Sequence, residues 1–184
     1  MNLVKTNIEG LVILNPIIFN DLRGSFIESY NKKNMNELLG SISFVQDNQS
    51  ESFKGVLRGL HFQKPPFAQA KLVCCLKGEV LDVALDLRKS SKTYGMFETN
   101  LLTEINKNQL FIPKGFAHGF IVLSDYAIFS YKADNYYNPE SESGIIWNDP
   151  DLNIDWKLNN AEIIVSKKDT KLSLSLIHIS EPTR

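Results

Sequence analysis

Apolar and polar positions alternate over short stretches along most of this chain, and turn residues separate the stretches at regular intervals. β-Branched and aromatic runs begin at Leu11–Leu14 and Gly24–Tyr30. After a short helical stretch around Asn34–Leu39 they continue at Ser43–Asn48, Val56–Gln63, Lys71–Leu76, Glu79–Leu87, Gly95–Leu102, Gln109–Ile112, His118–Leu123, Ala127–Ala133 and Gly144–Trp147. Turn signals fall at Lys77-Gly78, Lys89–Lys92, Ile105–Asn108, Pro113-Lys114-Gly115 and Ser124-Asp125. Evenly spaced short strands predict a sandwich or barrel rather than βαβ units. We expect an all-β fold, an antiparallel β-barrel or jelly roll with minor helices near its ends. On the strand Glu79–Leu87, Asp82 and Asp86 alternate with Val83, Leu85 and Leu87. That pattern fits a solvated face and a site wall equally. Trp147-Asn148-Asp149-Pro150 reads as a strand end.

Composition narrows the classes. At 184 residues the chain has room for one domain with a sizeable core. A formal net charge of −1 gives no basic field for nucleic acid or an anionic membrane. No apolar run approaches the ~20 residues of a membrane span, and Met1-Asn2-Leu3-Val4-Lys5 lacks a signal-peptide layout. Cys74 and Cys75 are adjacent in an apolar run and read as small hydrophobes. Without a disulfide framework, a reduced, cytoplasmic protein is expected. There is no internal repeat and no low-complexity linker, so residues 1–172 read as the domain. Ser173–Arg184 resembles translated adapter sequence and reads as a non-native or disordered tail; His178 within it is given no role.

Outside that tail there are two histidines, His61 and His118. His61 lies in Gly55-Val56-Leu57-Arg58-Gly59-Leu60-His61-Phe62-Gln63, a strand-like segment with an arginine three residues upstream. Histidine titrates near neutrality and is the usual proton carrier, and arginine presents a planar fork that suits phosphate or carboxylate. Together they suggest proton chemistry on a phosphorylated substrate. The second constellation is Phe111–Phe120, where Pro113-x-Gly115 makes a tight turn and His118 starts the strand leaving it. Pro-x-Gly-x-x-His resembles the second motif of the cupin superfamily, small β-barrels with the active site at the mouth. The first cupin motif would supply His-x-His and a carboxylate, but here it reads His61-Phe62-Gln63, with the second histidine and the glutamate missing. Two histidines are a poor site for a catalytic divalent ion, so a metal-free, cupin-like domain is expected.

A longer set of motifs points further. Arg23-Gly24-x-Phe26-x-Glu28, Gln46-Asp47-Asn48, Gly55–Gln63, Ala68–Val73, Gly78–Val83, Ile112–Phe120, Tyr131-Lys132, Tyr136-Tyr137-x-Pro139-Glu140-x-Glu142 and Trp147–Pro150 resemble, in unbroken order over roughly residues 1 to 170, the dTDP-4-dehydrorhamnose 3,5-epimerases. The resemblance implies inversion of C3 and C5 of dTDP-4-dehydro-6-deoxy-D-glucose without a cofactor, giving dTDP-4-dehydro-L-rhamnose. It implies His61 as base, Asp169 as its orienting partner, Tyr131 as acid and Lys71 near O4. It also implies Arg23 and Arg58 at the diphosphate, with Gln46 and Asn48 as neutral donors and acceptors. Glu28 would meet the base or a sugar hydroxyl, Tyr137 would stack on the base, and His118 and Glu142 would contact the substrate. The segment carrying Arg23, Phe26 and Glu28 is contributed across a dimer interface in that family, which implies a homodimer with N-terminal strand exchange.

The residues alone leave alternatives. His61 reads as a satisfied core histidine, Arg58 as a surface ion pair, Tyr131 as core packing and His118 as a turn-closing residue. Lysine in an apolar strand is harder to explain structurally, because an unpaired buried ammonium is costly. Two other functions share the motif set: a single-carbon epimerase or ketoisomerase of dTDP-deoxysugars, and a sugar-nucleotide binder without catalysis. The first would place the acid differently, and the second would lack base or acid.

Overall fold

The structure, a computed structural model of the chain, describes residues 1–174. Two antiparallel sheets face each other. The first has the order β1-β2-β10-β7-β12-β5, from β1 (Asn2–Lys5), β2 (Val12–Asn15), β10 (Gln109–Ile112), β7 (Lys71–Lys77), β12 (Tyr126–Ala133) and β5 (Gln46–Phe53). The second has the order β13-β6-β11-β8-β9, from β13 (Glu142–Gly144), β6 (Leu57–Gln63), β11 (Phe116–Val122), β8 (Glu79–Asp86) and β9 (Phe97–Thr103). A separate hairpin pairs β3 (Phe19–Asp21) with β4 (Gly24–Phe26), and α1 (Lys32–Leu39) is the one α-helix among the described residues. The all-β jelly roll expected from the spacing is the fold observed.

Alternation along the inward faces builds the core between the sheets. Val73 and Cys75 from β7, Val80 and Ala84 from β8, Phe120 and Val122 from β11, and Ala127 and Phe129 from β12 are all buried there. The outer faces are covered as well. Residues Ile145, Leu152 and Trp156 pack on Leu57, Leu81, Val83 and Leu85. Met35 of α1 packs on Val12, Leu14, Leu72 and Phe111. A strand covered on both sides loses its clean alternation, which is why β11 is buried at every residue. The helix starts two residues earlier than expected because Asn31 caps it, its Oδ1 accepting from the Lys33 and Asn34 amides.

The sequence pattern missed β1 and β3 and misplaced the strand around residues 43–48. Observed β5 reads Gln46-Asp47-Asn48-Gln49-Ser50-Glu51-Ser52-Phe53 and has no apolar period. It is a sheet edge paired along its length with β12, from Ala133↔Gln46 to Tyr126↔Phe53. Its inward residues face an opening in the core, so polar side chains stand where apolar ones would be expected.

Two further features set the geometry of that opening. β6 and β11 pair with a register shift between His118 and Phe120 that leaves His61 directly opposite His118. The backbones approach closely there. Gly59 has φ +127°, and a Cβ on it would lie 2.6 Å from Gly119 Cα. The chain after the second sheet then crosses the opening. It is tied at one side by Leu57 N donating to Ile164 O at 2.9 Å and Ile164 N donating to Gly55 O at 2.8 Å. At the other side Ile146 N donates to Ser173 O at 2.9 Å. Ser173 thus bridges to the second sheet, while the rest of the expected tail, from residue 175 on, lies outside the described residues.

Candidate active site

Where the sheets splay, a cavity of about 590 Å³ opens, lined in part by Asn48, Arg58, His61, Lys71, His118 and Tyr131. Strand alternation puts them there. Lys71 continues inward the face that carries Val73 and Cys75, and Tyr131 continues that of Ala127 and Phe129. Asn48 sits opposite Tyr131 in register.

His61 Nε2 lies 2.7 Å from Asp169 Oδ1, and Asp169 is only 3% exposed. The strap across the opening delivers that carboxylate in a single 3₁₀ turn, Asp169–Lys171, whose first amide donates to Ser166 Oγ at 3.1 Å. With the Nε2 proton engaged by Asp169, the neutral ring leaves Nδ1 unprotonated. Lys71 lies with Nζ 5.4 Å from the Tyr131 ring centroid. Burial lowers its ammonium to about 8, against the pull of Asp82 and Glu142. Burial raises the Tyr131 phenol, reinforced by the charge of Glu142 and opposed by Arg58, so it keeps its proton at neutral pH.

His118 bonds through Nε2 to Asp82 Oδ2 at 2.7 Å, with both residues buried. Desolvation lowers the His118 ring below its ordinary value, against the attraction of Asp82. Arg58 Nε and Nη2 both donate to Ser52 Oγ, at 3.2 and 3.1 Å, and the side chain is exposed at the rim. Asn48 accepts from Gln46 Nε2 at 3.0 Å, while its own Nδ2 is buried without a hydrogen-bond partner among the described residues. Gln46 Oε1 accepts from the Tyr137 amide at 3.1 Å. Tyr137 is 53% exposed, and its hydroxyl donates to Glu142 Oε2, which also pairs with Lys168 Nζ at 2.5 Å. Burial pushes Glu142 up, but Lys168 and Tyr137 outweigh it and hold the carboxyl below its usual range.

Gln46, Tyr137 and Glu142 do not line this cavity but are tied to its lining through Asn48 and Lys168, and three further expected residues stand away from it. Arg23 is on the β3–β4 hairpin, 89% exposed and paired with Asp21, and Phe26 is 69% exposed against Phe19. Glu28 accepts from Asn31 Nδ2 at 3.0 Å and Asn34 Nδ2 at 2.8 Å, at the start of α1. Two further polar residues belong to the site: Lys168, which reasoning from sequence did not single out, lines the cavity, and Asp82, which it left open as a site wall, bonds to the lining residue His118. Lys168 lies in the segment that supplied Asp169, and the Asp82 alternation was ambiguous. Asp86, its equal in the pattern, is a structural clamp on Arg88. Among the described residues no group of three or more His, Cys, Asp or Glu is placed to hold a metal ion, and no helix is long and apolar enough to cross a membrane.

Residues 5–175 match the family model described as dTDP-4-dehydrorhamnose 3,5-epimerase. The chain is 53% identical over 173 residues to the Escherichia coli K12 protein of that name, covering 94% of this chain and 93% of the relative. Among solved structures, the Elizabethkingia anophelis dTDP-4-dehydrorhamnose 3,5-epimerase is 53% identical with a TM-score of 0.90, covering 95% of this chain and 96% of the other. The Legionella pneumophila dTDP-6-deoxy-D-glucose-3,5-epimerase, solved in complex with dTDP-4-keto-L-rhamnose, is 50% identical with a TM-score of 0.92, covering 97% and 94%.

Proposed function

As a member of the dTDP-4-dehydrorhamnose 3,5-epimerase family, to which these matches assign it, the chain is an isomerase, and we propose that it inverts C3 and C5 of dTDP-4-dehydro-6-deoxy-D-glucose to give dTDP-4-dehydro-L-rhamnose. The observation that carries this reading is the His61–Asp169 pair at 2.7 Å in a cavity that also presents Lys71 and Tyr131.

Both carbons flank the C4 ketone. His61 Nδ1 takes the proton, the C–H electrons form the carbon–carbon double bond of an enolate, and the carbonyl electrons move to O4. Asp169 stabilises the imidazolium that results and holds the ring's orientation. The Lys71 ammonium stabilises the charge on O4. The Tyr131 hydroxyl then delivers a proton to the opposite face, completing one inversion. The cycle leaves an imidazolium and a phenolate, which exchange protons with solvent before the second carbon reacts.

The nucleotide half of the substrate extends to the rim. Arg58 would meet the diphosphate, Gln46 and Asn48 would offer neutral polar contacts, and Tyr137 would stack on the base. His118 and Glu142 would contact the sugar. Arg23, Phe26 and Glu28 would complete the site from a second copy. The exposed apolar residues Phe19, Leu22 and Phe26 on a hairpin outside its own cavity support that arrangement as a homodimer. Cys74 and Cys75 are both free, with thiols pushed up to about 11 mainly by burial. They fit a reducing compartment, and we assign the enzyme to the cytoplasm.

Proton NMR of the substrate incubated with the protein in D₂O tests the reaction. Deuterium entering at both C3 and C5 is expected. Exchange at one carbon replaces the reading with a single-carbon epimerase, and binding without exchange leaves a sugar-nucleotide binder.

A further inference from the structure

β8 buries two aspartates, and they are held in opposite ways. Asp86 is saturated. Oδ1 accepts from the Arg88 amide and Nε, both at 2.9 Å, and Oδ2 accepts from Arg88 Nη2, Ser91 Oγ and Thr93 Oγ1 at 2.6 to 2.7 Å. Asp82 is fully buried as well, yet Oδ2 has the single partner His118, and Oδ1 has no hydrogen-bond partner among the described residues. It stands between Val80 and Ala84, on the face that meets the apolar core. A carboxylate in such surroundings costs free energy unless it is paired. The jelly roll would be better served there by an apolar residue, and sites that break such rules are where function is expected.

The cations and acids around Asp82 show what it can act on. Lys71 from β7 lines the same cavity as His118, the partner of Asp82, and is attracted by the Asp82 charge. The other titratable groups of the cavity are Tyr131 from β12, His118 from β11, Arg58 and His61 from β6, and Lys168 and Asp169 from the strap, while Glu142 of β13 acts on Lys71 from outside the lining. Of the carboxyls among these, Glu142 is committed to Lys168 and Tyr137, and Asp169 to His61. Of these carboxyls Asp82 alone has an oxygen that is buried without a hydrogen-bond partner among the described residues. We propose that Asp82 is a positioning residue for the epimerisation: its buried carboxylate fixes the tautomer and orientation of His118, and its charge keeps Lys71 an ammonium where the enolate oxygen forms. This rests on the function proposed above for Lys71. Glu142 also attracts Lys71 but is shared with Lys168 and Tyr137, so Lys71 and Asp82 form a unit separate from the His61–Asp169 pair.

The test uses the full-length protein without substrate. Lysine labelled at ¹³Cε and ¹⁵Nζ, with the Lys71 signal assigned by Lys71→Met, gives the titration of that ammonium directly. In Asp82→Asn its midpoint is expected to fall by about 1 to 3 pH units from the wild-type value, the usual effect of removing one close counterion. The alkaline limb of the pH–rate profile should move down with it, while affinity for dTDP stays constant. An unchanged Lys71 midpoint in a folded Asp82→Asn would overturn the proposal and leave Asp82 a structural partner of His118. If Asp82→Asn does not fold, the wild-type protein still decides. The ¹⁵N signals of the His118 ring should show its proton on Nε2 and inflect at the pH where Lys71 loses its own, whereas the opposite tautomer or no inflection refutes the unit. These readouts are independent of turnover. Absence of deuterium exchange at C3 and C5, with the Lys71–Asp82 coupling intact, would sink the reaction and not the coupling.

Discussion

Replacing Lys71 with methionine should make the protein more stable and the enzyme much slower. The side chain's neighbours hold its ammonium at about 8, against an ordinary 10.5, because burial disfavours the charge more than Asp82 and Glu142 favour it. At 1.36 kcal/mol per pH unit, that gap corresponds to about 3 kcal/mol of destabilisation by the charged form. Water in the cavity screens the pair and brings the figure toward about 1 kcal/mol. The sign follows from proton binding. Between pH 8 and 10.5 the unfolded chain holds the Lys71 proton and the folded chain does not, so stability from this group rises with pH. Below about 8 both states are charged and the cost is fully present.

Lys71→Met removes the charge and keeps the stem. Urea unfolding at fixed protein concentration should show the variant more stable than wild type by about 1 to 3 kcal/mol at pH 7, with the difference fading by pH 10.5. Activity should move the other way. Losing one preorganised group at a developing oxyanion lowers kcat by about 10²- to 10³-fold. In the wild-type enzyme the active ammonium is titrated away above about 8, so the rate should fall about tenfold per pH unit there. A variant less stable at pH 7, with a pH-independent difference and near-normal kcat, would show that Lys71 is a structural residue and refute the reasoning.

Asp169→Asn keeps the shape of the strap but removes the charge proposed to stabilise the His61 imidazolium. kcat should drop by about 10²- to 10⁴-fold with little change in dTDP affinity, measured by calorimetry; an equal loss of both would place Asp169 in folding rather than chemistry. Tyr131→Phe should leave deuterium exchange in the substrate largely intact while suppressing formation of the inverted product, and equal loss of the two signals would mean the phenol is only packing. Gly59→Ala forces a Cβ to within 2.6 Å of Gly119 Cα at φ +127°. It should cost at least about 2 kcal/mol in urea unfolding, from left-handed strain and overpacking together; a neutral effect would show that the β6–β11 crossing is more yielding than its geometry implies.

The elements that were legible in the sequence are those whose burial the residues advertise. β7, β8, β10, β11 and β12 carry Val, Ile, Leu and Phe on the faces that close the core, and turn residues bound them on both sides. β5 was misplaced because its inward positions, Asn48, Ser50 and Ser52, face Tyr131, Phe129 and Ala127 across the rim of a cavity rather than a packed layer. Periodicity reports burial, and a strand that lines a polar opening has little to report. The strap from Ile164 to Ser173 was invisible for a related reason. It is held by backbone bridges at its ends and by the His61–Asp169 and Glu142–Lys168 side-chain contacts, none of which needs a repeating pattern.

The site shows the same division more sharply in Asp82 and Asp86, which occupy equivalent positions in the alternation of one strand. Both proved fully buried, so neither the solvated-face reading nor simple periodicity separates them. Their fates differ because of residues outside the strand's own pattern. Arg88, Ser91 and Thr93 follow Asp86 closely enough to wrap it, so a donor-rich run downstream of an aspartate is a legible signature of a clamp. Asp82 has no such donors nearby in sequence. Its partners come from β11 and β7, 36 residues later and 11 residues earlier in the chain, and only the fold brings them together. A buried acid without local donors must either lose its charge or find a distant cation. In this fold the charge of Asp82 acts on Lys71, the cation proposed to stabilise the enolate oxygen.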